Sequence, residues 1–115
     1  GVQGAEPAPA VFDGMAFAAL GLRDAGDEEG FRTAVSHLEA RLDLWDCCGG
    51  WTRMWVGGPA CSAFYHELNA RTARAVAEAS GSAPIREAAG RWEKALGSPE
   101  VRVRAWVAEK TRSGT

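Results

Sequence analysis

The feature that most constrains this chain is its punctuation by helix starts and stops. Asp27-Glu28-Glu29 places an N-cap acceptor before two acids, which the helix dipole favours in a first turn. Ser82 precedes Pro84, and Ser98 precedes Pro99 directly; a serine cap with proline in the first turn is a helix-start signal. Ser80-Gly81-Ser82 is a stop. Between these marks the apolar residues recur at helical spacing. The chain is therefore expected to be all-α.

Along the chain, Gly1 to Ala10 reads as a linker or loop, because Pro7 and Pro9 interrupt a stretch without periodicity. A first helix runs from Val11 to near Asp24, with Phe12, Met15, Ala16, Ala19, Leu20 and Leu22 apolar. The second follows Asp27, with Phe31, Val35, Leu38 and Leu42 on one face and His37, Glu39 and Arg41 on the other. A few residues separate the two, so they form an antiparallel hairpin. A third helix starts near Cys61 or Ser62 and reaches Ala79, with Phe64, Leu68, Ala75 and Val76 as its apolar stripe. A fourth carries Ile85, Ala89, Trp92 and Leu96, and a fifth carries Val101, Ala105 and Ala108 with Trp106 near that stripe. Trp92 and Trp106 read as core. The residues from 111 to 115 form a polar tail, so the helical domain spans 11–110.

The helical pattern fails between Leu44 and Ala60. Gly49, Gly50, Gly57 and Gly58 flank a stretch holding Asp46, Trp51, Arg53, Met54 and Trp55. A short β-hairpin or an ordered loop near 45–60 is expected, and functional groups often ride on such loops. The order hairpin, aromatic loop, hairpin suggests stacked helical hairpins of the α/α toroid type. Five helices make an incomplete toroid, so the remainder of a larger helical domain is an expected partner. A homo-oligomer is another.

Cys47, Cys48 and Cys61 are an odd set with two neighbours, a poor disulfide framework. Adjacent cysteines seldom bond each other; Cys47 or Cys48 with Cys61 is geometrically conceivable, and buried or idle thiols are the favoured reading. No zinc spacing is present and no metal site is expected. The formal charge of −2 provides no strong field for nucleic acid. No run approaches the ~20 apolar residues of a membrane span.

Four motifs resemble the C-terminal helical domain of the D-glucuronyl C5-epimerases. Val11-Phe12-Asp13-Gly14-Met15, continuing to Leu20-Gly21-Leu22, is similar to the family's Val-Leu-Asn-Gly-Phe and following Leu-Gly-Leu. Trp51-Thr52-Arg53-Met54 is similar to Trp-Ser-Arg-Tyr. Phe64-Tyr65-His66-Glu67-Leu68-Asn69 is similar to Phe-Tyr-His-x-Leu-His, and Arg91-Trp92 falls where the family has its closing Arg-Trp. The resemblance covers residues 11 to 96.

It implies proton removal and return at carbon 5 of glucuronic acid units in an anionic polysaccharide, with no redox cofactor. Tyr65 matches an active-site tyrosine and is the candidate catalytic residue. His66, Arg53, Trp51 and Asn69 are the candidate substrate-binding residues. Met54 stands where the family has a second catalytic tyrosine, and methionine transfers no proton. Glu6-Pro7 lacks the tyrosine of the family's Glu-Tyr-Pro.

Each candidate also has a plainer reading. Tyr65 can be a packed aromatic, and His66 a structural hydrogen-bonder on a different helical face from Tyr65. Trp51 can pin the loop, Arg53 can serve the fold, and Asp46 and Glu67 can pair with nearby arginines. Three functions follow: a uronic acid epimerase, a non-catalytic carbohydrate-binding or scaffold form of that fold, and a helical interaction module. A groove bearing one proton-transfer group favours the second. Exposed apolar surface on the first helix without a groove favours the third.

Overall fold

A computed structural model describes residues 10–114. Gly1 to Pro9, including Glu6-Pro7, lie outside the described residues, and so does Thr115. Five helices follow in order: α1 (Phe12–Asp24), α2 (Glu28–Trp45), α3 (Ala63–Ser80), α4 (Ala83–Leu96) and α5 (Pro99–Gly114). A two-stranded hairpin, β1 (Asp46–Cys47) and β2 (Trp51–Thr52), lies between α2 and α3. The protein is all-α with one short hairpin.

The capping signals act as the sequence suggests. Asp27 accepts the Gly30 N–H at 2.8 Å. Ser82 accepts the Ile85 N–H at 3.3 Å, and its hydroxyl donates to Glu39 at 2.6 Å, which ties the start of α4 to α2. Ser98 accepts the Val101 N–H at 3.3 Å. Gly81 closes α3 with φ 74°, a left-handed value that glycine adopts without a Cβ penalty. α5 continues through Thr111 and Arg112, so the polar end is helical; the Arg112–Glu109 pair at 3.3 Å lies along it.

Two helical hairpins, α1–α2 and α3–α4, pack on each other, α1 against α3 and α2 against α4. The core holds Phe12, Leu38, Trp45, Ile85 and Trp92, all fully buried. Phe12 sits edge-on to both tryptophans, with ring centroids 5.0 Å from Trp45 and 4.9 Å from Trp92. Such geometry contributes beyond area burial. α5 adds a smaller cluster, where Ala105 and Val101 pack near Trp51 and Ala95.

Three expectations need correction. The buried face of α3 is not Phe64, Leu68 and Ala75: Phe64 is 70 % exposed, and Val76 alone of the expected stripe is buried. The face that packs is small and polar, with His66, Asn69, Ala70, Thr72, Ala73 and Ala77. Alanines here and at Ala88 and Ala89 of α4 let the two helices approach closely. Trp106 is 62 % exposed, and Ala108 is exposed as well, because among the described residues of α5 only Ala105 is buried. Cys47 and Cys48 are joined to each other. Cys48 takes φ 62°, which breaks the alternation that points neighbouring strand side chains to opposite faces. Cys61 is a free, buried thiol, as expected. Among the described residues no helix is long and apolar enough to cross a membrane.

Candidate functional site

The hairpin is held by a buried polar network. His66 Nδ1 accepts the backbone N–H of Thr52 at 3.1 Å, and the Thr52 hydroxyl lies 2.8 Å from the same nitrogen. A nitrogen that accepts an N–H carries no proton, so the ring proton is on Nε2. Nε2 then donates to the Trp92 carbonyl at 2.8 Å. Asn69 donates to the Thr52 hydroxyl at 3.0 Å and to the Cys61 sulfur at 3.5 Å. Trp51 stacks on His66 with centroids 4.0 Å apart, and its indole N–H donates to the Cys61 carbonyl at 2.8 Å.

This network decides the chemistry of its members. His66 is fully buried, and burial lowers its pKa; the Trp92 carbonyl works in the opposite direction with smaller effect. The imidazole is neutral, and its two nitrogens are held inside the protein. Burial also pushes the Cys61 thiol up, so it is a poor thiolate. Arg53 Nη1 donates to the Gly58 carbonyl at 2.9 Å, bracing the Met54–Pro59 turn. Met54 N–H to Pro59 O at 2.8 Å closes that turn. Asp46 is paired with Arg91 at 2.7 Å and accepts the Trp92 indole N–H at 2.6 Å. The Arg91-Trp92 pair thus grips the first strand.

A cleft of about 210 Å³ opens beside the network. Val11 and Asp13 come from the start of α1, Met54 and Trp55 from the turn, and Tyr65 and Asn69 from α3, with Cys61 at the back. Tyr65 is 43 % exposed and Trp55 is 37 % exposed. The Trp55 indole lies over Gly58, where any Cβ would overlap it. Of the residues singled out from the sequence, Tyr65 and Asn69 line the cleft together. Trp51, His66 and Arg53 are not in its lining.

Asp13 is not among the candidates read from the sequence, and Trp55 is read there only as part of the aromatic loop. Trp55 belongs to the aromatic loop, which was a usable signal. Asp13 sits two residues into a helix, where an acid looks like ordinary dipole compensation. A second groove, of about 320 Å³, lies between α5 and the start of α3, with Trp51, Ala63, Arg102 and Trp106 in its walls. Among the described residues no three metal-ligating side chains cluster.

No protein-family model, curated protein or solved structure matches the chain.

Proposed function

We propose that this chain is a carbohydrate-binding helical domain that does not catalyse epimerisation, with its site in the cleft between α1, the Met54–Pro59 turn and α3. The observation that carries the reading is the pairing of half-exposed Trp55 and Tyr65 on one cleft beside Asn69 and Asp13. Aromatic faces suit the C–H surface of a pyranose ring, and a few fixed polar groups suit its hydroxyls. The turn and α3 are braced by Arg53 and by the His66 network, so the platform is preformed.

Proton transfer at carbon 5 is the second reading. The fourfold motif resemblance supports it, and Tyr65 and Asp13, which can both carry a proton, line the same cleft. It ranks lower on electrostatic grounds. A uronate brings its own carboxylate to a cleft in which, among the described residues, Asp13 is the one charged lining group and no cation offsets the repulsion. Met54 occupies the place where the resemblance puts a second tyrosine.

An interaction module is the third. Phe17 on α1 and Phe64 on α3 are exposed, and added hairpins of a toroid would cover such side chains. The presence of a groove at the start of α1 favours binding of a small ligand over this reading.

Saturation-transfer NMR against a panel of neutral, amino and uronic oligosaccharides tests the proposal. Transfer to at least one sugar class, lost in Trp55→Ala and Tyr65→Ala, is expected. Deuterium uptake at carbon 5 from heavy water, lost in Tyr65→Phe, would replace binding with catalysis.

A further inference from the structure

The charge of the cleft is more specific than its shape. Asp13 is half-buried in the first turn of α1, and one carboxylate oxygen accepts the Gly14 N–H at 2.8 Å. Among the described residues it takes part in no ion pair. The other described side chains that line the cleft are uncharged. Asn69 directs its amide nitrogen inward, to Thr52 and Cys61. Arg53, the nearest arginine in sequence to the turn, is held by the Gly58 carbonyl.

A ligand that fills this cleft covers the Asp13 carboxylate. Removing water from a carboxylate without supplying a cation is costly. A ligand bearing an ammonium group offsets that cost with a charge-assisted hydrogen bond. An anionic ligand offers no such bond and is repelled.

Size limits the ligand further. The cleft, about 210 Å³ and partly open to solvent, is on the scale of a single ring and not of a folded peptide.

We infer that the cleft takes a cationic amino sugar unit, a hexosamine with a free ammonium, with the ring against Trp55 and Tyr65 and the ammonium on Asp13. This rests on the carbohydrate-binding reading and narrows it to a substrate class. The Asp13 contact is the specificity determinant, and the aromatic contacts are shared by all pyranoses.

Titration calorimetry of the full chain at pH 6 and low salt tests it. The probes are oligomers of glucosamine, N-acetylglucosamine, glucose and glucuronate. Glucosamine oligomers should bind at least tenfold tighter than the acetylated and neutral ones, and glucuronate oligomers weakest. Asp13→Asn should remove the preference for glucosamine oligomers over the acetylated and neutral ones. Asp43→Asn, an exposed acid on α2, should leave the preference intact, which separates the cleft from general attraction to an acidic surface. A preference for neutral or acetylated oligomers, or one unchanged in Asp13→Asn, overturns the inference and leaves carbohydrate binding standing. Failure to bind any of the four removes both. Circular dichroism confirms that each variant is folded.

Discussion

His66 Nδ1 accepts the backbone N–H of Thr52 at 3.1 Å, which fastens the second strand of the hairpin to the first turn of α3. With the Nε2 bond to Trp92, one imidazole joins hairpin, α3 and α4. The cleft depends on this joint, because Tyr65 and Asn69 flank His66 on α3 and Met54 follows Thr52 by two residues. His66→Ala would strand the Thr52 N–H inside the protein, whereas the Trp92 carbonyl keeps its place in the α4 ladder. At ~1–3 kcal/mol for an unsatisfied buried group, the expected loss is at least about 1–3 kcal/mol, read from urea unfolding. A loss under 1 kcal/mol would show that the network does not hold the hairpin.

The same residue sets a pH dependence. Burial holds the folded-state pKa of His66 below the ordinary 6.5. The unfolded chain therefore takes up the proton first as pH falls. The stability from neutral His66 is complete above about 6.5 and declines as pH drops through that value towards the folded pKa. The urea midpoint should fall between pH 7.5 and pH 5. The fall should persist in His37→Gln, an exposed histidine, and flatten in His66→Gln.

Glycines at two positions should respond in opposite directions. Gly50 has φ 119°, and a Cβ there would stand 3.3 Å from the Arg91 carbonyl. Gly50→Ala combines a disfavoured backbone with a close approach to main chain, for a loss of about 1–3 kcal/mol. Gly21 lies within α1 with nothing near its missing Cβ. Gly21→Ala should raise stability by roughly 0.5–1 kcal/mol through helix propensity. Thermal unfolding of both variants reads the two signs.

Gly58→Ala is a test of cleft geometry that leaves every proposed contact residue in place. A Cβ on Gly58 would stand 2.5 Å from the Trp55 indole nitrogen. The ring has to move, and sugar affinity should fall by tenfold or more while the midpoint of unfolding changes little. Unchanged affinity would mean that Trp55 is not part of the platform.

The helix framework is readable from sequence because its signals are local. Asp27, Ser82 and Ser98 cap within three residues of themselves, and Gly81 stops α3 where it stands. The stripes of α2 and α4 are also plain, since both bury large apolar groups on one face. α3 defeats this logic. Its buried face is alanine with His66, Asn69 and Thr72, and these are buried because partners 3 to 26 residues away satisfy them. Periodicity cannot report such partners, and it drew Phe64 inward instead. Trp106 misled for the same reason: a large apolar residue on a helix looks like core until the neighbouring elements are known. Thr52 and Asp13, the anchor of the network and the charge of the cleft, have no local signature.

Amide shift mapping of the labelled chain during titration with a binding oligosaccharide tests the central claim most directly. The largest shifts are expected at Asp13 and Gly14, across Trp55 to Gly58, and at Tyr65, with saturation. Shifts centred on Ala63, Arg102 and Trp106 in the other groove, or none at any sugar concentration, would contradict a sugar site in the α1–α3 cleft.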